Sequence, residues 1–432
     1  MLLTLRVKII SILLVGSFVR EIFAPFTGHP FDFEIWIRLG FYTALGQDPY
    51  RIMPPVPNLS MPGSGPLPSI GYPPAWPFLL AGIYKLYAAI GPDNRFLYYF
   101  LLKQPMILSD LLDGLLIYKI VKMFSDNGRA FRALAFWLLC PFTIIISSVW
   151  GMFDQIILAL VLLSVLLLSR TATSALSETL GILLKAIPLI YLPVLAFVQR
   201  TMPKKIEYLV VSIGISILFT LLPYLIFPSW NISALLGTGS STVHKVGNSM
   251  NYWVVLYATS NLGTVPSQAF PTLDLLSYVW IPAVIIASIF CVRSFSQGSS
   301  DRKNIPLALL FVTLTFYLTR SQINEQYLIY FLGFGLVDYY VLASRTRKKI
   351  FHAIWIDALA FLIANNSFLV RFLDPISISY LNLDMSLTTG FTGDVIIAIT
   401  VATGIVFSVL CAIYLSSLYT DIRAMKKEAM IR

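Results

Sequence analysis

The feature that most constrains this chain is a succession of apolar runs of bilayer length, repeated along 432 residues with few charges inside them. An α-helix needs about 20 apolar residues to cross the hydrocarbon core, and only helices and closed barrels satisfy their backbone there. Hydrophobic residues make up 57% and charged residues 12%. An ordinary soluble domain carries about twice that charged share. Disordered, collagen-like and disulfide-scaffold chains are excluded by the same figures. The expected fold is all-α, one polytopic transmembrane bundle over residues 1–432 with about 11–13 spans. A large first extracytoplasmic loop, carrying amphipathic helices, would sit on it.

The apolar runs read as spans over 5–25, 97–122, 132–149, 155–169, 178–186 with 188–199, 206–227, 276–294, 305–321, 326–343, 350–368 and 394–418. The paired runs around Pro188 are each too short to cross. They predict two short helices meeting at a break near Lys185, because proline cannot continue a hydrogen-bonded turn. With the N-terminus inside, about two-thirds of the basic residues fall on one side, as the positive-inside rule requires. Lys119, Lys122, Arg129 and Arg132 form one such cluster; Arg345, Arg347, Lys348 and Lys349 form another. The net charge of +10 is thereby explained without nucleic acid.

This topology leaves three outer regions, 26–96, 228–275 and 369–393. Residues 74–92 are apolar enough to cross, yet a crossing would put the 119–132 cluster outside. They are expected to lie at the outer interface, where Trp76, Tyr84 and Tyr87 suit the headgroup level. Asn-x-Ser sequons at Asn58, Asn231 and Asn365 fall in outer loops or at an outer helix end. Cys140, Cys291 and Cys411 lie far apart, and His29, His244 and His352 are isolated, so neither a zinc site nor a histidine metal site is expected.

A charge in or near the bilayer is costly and therefore a candidate for function. Asp32 and Glu34 open the first outer loop in FDFEIW, at the N-terminus of a short amphipathic helix whose dipole favours acids. Asp154 lies in the tight connection WGMFDQ. Lys185 stands beside the proline break, where a lysine binds an anion or pairs with a carboxylate. Arg320 and Glu325 bracket the turn RSQINEQY, as a mutual pair or as site residues. Lys103, Asp110 and Asp113 share one span, and Asp110 near mid-bilayer must face protein, as a structural partner or in the site. Asp338 and Asp357 are expected to pair with the basic cluster at 345–349. Acids thus converge with bases on the outer face. Carboxylates suit deprotonation of a hydroxyl, and Lys or Arg suits a departing phosphate. Together they describe glycosyl transfer from a lipid-phosphate sugar. No P-loop, dinucleotide fingerprint, zinc-protease motif or nucleophile elbow is present.

FDFEIW, GQDPYR followed by GYPPAWPFLLAG, KQPMILSDLLDGLLIYKIV, LLCPFTIIISSVWGMFDQI and LLKAIPLIYLPVL occur in an order that resembles the GT-C superfamily of membrane glycosyltransferases. Within it the chain is similar to the catalytic subunits of GPI mannosyltransferase I and related mannosyltransferases. Two positions depart from that pattern: Asn324 stands where many relatives have histidine, and Cys140 where asparagine is common. The resemblance implies a polyprenyl- or dolichyl-phosphate hexose as donor, a glycan or glycolipid as acceptor, and inversion at the sugar. Asp32 would be the general base, Glu34 would orient the acceptor or tune Asp32 as a nearby like charge, and Asp154 is the next candidate base. Lys185, Arg320 and Lys103 would hold the donor phosphate, with Glu325 and Asp110 as further candidates. No cofactor is demanded, and a divalent metal or a small membrane partner subunit is compatible. The competing class is a flippase or secondary transporter for lipid-linked sugars. Against it stand a single broken helix, no inverted repeat and acids biased to one face.

Overall fold

The computed structural model describes residues 2–61, 64–67, 72–91, 93–227, 229, 249–261, 270–295 and 303–431. The sequon at Asn231, His244 and Arg302 lie outside these residues, as does most of the 228–275 region. The described chain is helical, with one isolated antiparallel bridge between Met53 and Leu67 and no strand among the described residues.

The helices run α1 (Leu2–Phe23), α2 (Pro30–Ala44), α3 (Ala75–Ile90), α4 (Arg95–Phe124), α5 (Asn127–Leu139) and α6 (Pro141–Trp150). They continue as α7 (Asp154–Leu166), α8 (Thr171–Leu184), α9 (Leu192–Phe197), α10 (Met202–Ile226), α11 (Val254–Asn261) and α12 (Phe270–Leu276). The last are α13 (Trp280–Phe295), α14 (Asn304–Thr319), α15 (Leu328–Val341), α16 (Arg345–Asn365), α17 (Ile378–Leu387) and α18 (Gly390–Ile431).

Local chemistry sets several boundaries. Asn94 caps α4 by accepting from Phe96 N at 2.9 Å, Asp126 caps α5 through Arg129 N at 2.8 Å, and Ser344 caps α16 through Arg347 N at 3.2 Å. Pro141 lacks the N–H that would continue α5, and the chain bends by 48° there. The expected break around Pro188 is present: α8 stops at Leu184, Lys185 is extended, and a 3-10 turn over Ile187–Ile190 leads into α9.

Among the described residues, two helices are long and apolar enough to cross a membrane, Met202–Pro223 and Gly390–Met425, and two bent pairs raise this to four. The pairs are Asn127–Leu139 with Pro141–Trp150 and Arg345–Asn365 with Ser367–Leu373, the second bent by 63°. This is fewer than the apolar runs of the sequence, for a physical reason. Four apolar helices, α3, α7, α13 and α14, are too short to reach across alone. The longer α1 and α4 carry several charges; Arg6, Lys8, Lys119 and Lys122 are exposed, while Arg20 of α1 and Lys103, Asp110 and Asp113 of α4 are turned inward. Arg20 of α1 is fully buried and donates to Asp110 of α4 at 2.6 Å, to Leu138 O at 2.9 Å and to Thr143 at 3.2 Å. Trp137 N–H completes Asp110 at 2.7 Å. Removing either charge of such a pair would strand the other in an apolar core.

The outside is apolar. Val7, Ile10, Leu14 and Phe18 form an exposed stripe along α1, and Val210, Ile213, Ile217 and Leu221 another along α10. Contiguous apolar surface of this extent marks a membrane-facing wall. At one end of the bundle Arg347 is fully buried against Asp338 at 2.7 and 2.8 Å and also meets Asp421, while Tyr414 O–H donates to Asp338. The expected pairing of Asp338 with the 345–349 cluster is therefore present. Asp357 instead keeps a buried oxygen without a hydrogen-bond partner.

Candidate active site

At the opposite end, α1, α6, α8, α14 and α16 finish where α2, α4, α7 and α15 begin. This arrangement gathers residues from seven parts of the sequence. Asp32 sits in the first turn of α2, behind Pro30 at the helix start. Trp150 N–H donates to Asp32 Oδ2 at 2.8 Å, and His29 Nδ1 lies 3.2 Å from the same oxygen. The His29 ring stacks on Trp150 with centroids 4.9 Å apart, and Phe372 closes its edge at 6.1 Å. Burial pushes the Asp32 carboxyl up, but His29, the Trp150 N–H and the charge of Lys185 outweigh it and hold the group below its ordinary value.

Asp154 opens α7 and is fully buried. Lys185 Nζ contacts its two oxygens at 3.0 and 2.9 Å, and Tyr330 O–H donates to Oδ1 at 3.0 Å. Lys185 also lies 5.2 Å from the Phe153 ring centre and 4.7 Å from that of Tyr327. Arg320, at the end of α14, approaches the same Tyr327 ring at 6.0 Å and rests on Phe316 and Trp280 at 5.1 and 5.6 Å. It makes no ion pair among the described residues. The expected pairing with Glu325 is absent there; Glu325 instead accepts from Asn365, and burial raises its carboxyl. Two cations from distant helices thus flank one tyrosine, with Asp32 within electrostatic reach of Lys185.

The remaining expected residues lie elsewhere. Glu34 is two residues past Asp32, on the other side of α2. Its carboxylate takes Arg38 at 2.6 Å, Met61 N at 3.0 Å and Ser64 at 3.3 Å. Arg38 in turn holds Met53 O at 2.6 Å and Gly65 O at 2.8 Å, so this pair shapes the loop between α2 and α3. Lys103 is fully buried beneath the site. Its ammonium donates to Thr27 O and Ser148 O, both at 2.6 Å, and to Thr27 Oγ1 at 3.0 Å. Asp110 belongs to the Arg20 clamp. Asp374 is buried near His29 with no hydrogen bond to either oxygen, and burial together with Asp384 pushes its carboxyl up to about 7.

His29, Trp150, Tyr327 and Tyr330 were not singled out by the sequence reading. His29 did carry a signal: three residues before Asp32 at a helix start, it faces the same side. The other three are aromatic residues among many, and only the packing distinguishes them. Gly151 follows Trp150 at φ +82°, and a Cβ there would stand 2.7 Å from the Phe33 ring and 2.9 Å from Lys103. The close fit of α2 and α4 under the site depends on that glycine. Among the described residues no group of three or more His, Cys, Asp or Glu is placed to hold a metal ion.

Fold and site define a class: an all-helical membrane protein with a charged, aromatic-lined site at one end of its bundle. No protein-family model matches the chain, and no curated protein matches it.

Proposed function

We propose that this chain is an integral membrane glycosyltransferase of the GT-C type. It transfers a hexose, with mannose the first to test, from a polyprenyl or dolichyl monophosphate to a glycan or glycolipid hydroxyl, with inversion. In this reading α1, α4 and the shorter apolar helices are additional spans whose buried charges Arg20, Lys103, Asp110 and Asp113 face the interior, and the site faces the extracytoplasmic side of a plasma or endoplasmic reticulum membrane. The observation that carries the reading is the pair of cations on Tyr327, Lys185 and Arg320, with an Asp32 carboxyl held below its ordinary value in electrostatic reach of Lys185.

Asp32 accepts the proton of the acceptor hydroxyl as its oxygen bonds to the sugar C1. The C1–O bond to phosphate breaks, and its electron pair leaves with the lipid phosphate. Lys185 and Arg320 meet the charge that grows there. Being a weaker base than a free carboxylate, Asp32 takes the proton late, once the attacking oxygen has been acidified by bonding. Asp154 acts as a positioning residue, since its oxygens are occupied by Lys185 and Tyr330.

The test is incubation of purified protein with radiolabelled polyprenyl-phosphate sugars and a lipid extract. Labelled glycan or glycolipid is expected, with Asp32→Asn lowering the rate by about 10²–10⁴-fold. Intact donor crossing a vesicle without being consumed would replace this reading with a flippase.

A further inference from the structure

A second candidate ligand site lies at the end of the bundle opposite Asp32, where α5 and α16 both begin. Phe136 of α5 meets His352 and Trp355 of α16, with ring centres 6.0 and 5.8 Å apart. Four residues earlier on each helix, hence one turn nearer that end on the same face, stand Arg132 and Lys348. Lys348 Nζ lies 5.1 Å from the Tyr339 ring centre, and Arg132 is within electrostatic reach of Tyr340.

The hydrogen bonds around His352 have one consistent direction. Indole N–H can only donate, so Trp355, at 3.0 Å, makes His352 Nδ1 an acceptor. The neutral ring then carries its proton on Nε2 and donates to the Tyr339 oxygen at 3.2 Å. The phenol's own O–H is left to donate outward. The corner thus presents donors only: a guanidinium, an ammonium and a phenol.

Nearby acids do not neutralise it. Asp338 and Asp421 are taken by Arg347, Asp126 by Arg129, and Asp357 faces Cys411 of α18. No ion pair involves Arg132 or Lys348 among the described residues. Deeper on the same two helices the surface turns apolar, with Leu139 seven residues after Arg132 and Ile356 eight after Lys348, both exposed. Cations at a helix end above an apolar wall fit a headgroup with its acyl chains alongside; a free anion would have no use for that wall.

We propose that this corner binds the phosphodiester of an anionic membrane phospholipid, with Arg132, Lys348 and Tyr339 O–H on the phosphate oxygens and the acyl chains along α5 and α16. The site is independent of the transferase reading.

Delipidated full-length protein in detergent micelles would be titrated with dioleoylphosphatidylglycerol, dioleoylphosphatidylcholine and inorganic phosphate, and read by native mass spectrometry and thermal melting. Phosphatidylglycerol is expected to remain bound and raise the melting temperature, and the other two to do neither. Arg132→Gln and Lys348→Gln should each weaken binding about fivefold, and the double variant about 25-fold. Tyr339→Phe, which keeps the ring, should weaken it less. Arg170→Gln, an equal loss of charge on another exposed connection, should leave binding unchanged. Equal binding of phosphatidylcholine, an equal shift from inorganic phosphate, a double variant that binds like wild type, or an equal loss in Arg170→Gln would each overturn the proposal.

Discussion

Asp154→Asn tests the support beneath the site without any assumption about catalysis. The carboxylate is fully buried and receives three contacts, two from Lys185 and one from Tyr330, all within 3.0 Å. The Lys185 side chain is 12% exposed, so water cannot replace the lost partner. Leaving one charge of a buried pair unpaired costs about 3–5 kcal/mol. The Phe153 and Tyr327 rings stay beside the ammonium and offset about 1 kcal/mol of this. The expected loss is therefore about 2–4 kcal/mol, read as reversible unfolding in mixed micelles. Lys185→Met alone should cost less, because Tyr330 still donates to Asp154. Adding Lys185→Met to Asp154→Asn should recover part of the loss, giving a coupling of about 1.5–3 kcal/mol. A coupling below about 0.5 kcal/mol would refute the reasoning: the pair would then be no stronger than a surface contact.

Trp150→Phe removes the N–H on Asp32 and keeps the ring under His29. Asp32, held low when folded, contributes stability that is present above the ordinary carboxylate range and lost as pH falls through its folded value. The variant should move that acid limb to higher pH, in melting curves and in any transfer assay alike; an unmoved limb would show that His29 alone sets it. Asp374 has the opposite sign: its folded value of about 7 lies above the ordinary 3.8, so stability is lost as pH rises between them. Asp374→Asn should flatten that part of the profile, and a profile of unchanged slope would count against its burial. Gly151→Ala must strain a positive φ and press on Phe33, and is expected to cost about 1–3 kcal/mol; a variant as stable as wild type would mean that α2 can shift away freely.

Much of the candidate site was visible as residue types in unusual places. Lys185 beside a proline, Asp154 in a tight turn and Arg320 at a helix end each stood out because charge is costly near a bilayer. Their grouping was not visible, since it depends on which helix ends meet. Glu34 and Arg38 show the limit. Arg38 drew no notice, and the acid's place beside Asp32 in FDFEIW suggested a shared role. The α2 helix turns the two carboxylates to different sides, and the loop back to Gly65 uses up Glu34. Lys103 looked equally available, until packing set three carbonyl and hydroxyl oxygens around its ammonium.

The amino-acid sequence by itself determined the solvent, and with it the secondary structure. A chain this poor in charge must satisfy its backbone internally, and helices do so within a single segment. It also pointed to the break at Pro188, which lacks the N–H that the preceding turn requires. The bend at Pro141, inside the expected span 132–149, and the uninterrupted helices through Pro105 and Pro223 show that packing decides which prolines break a helix. Only the tertiary structure decided which charges meet. Arg20 reaches Asp110 across 90 positions of sequence, and Lys185 and Arg320 reach one tyrosine from separate helices. Such contacts follow from how helices pack side by side, and local sequence carries no record of that choice.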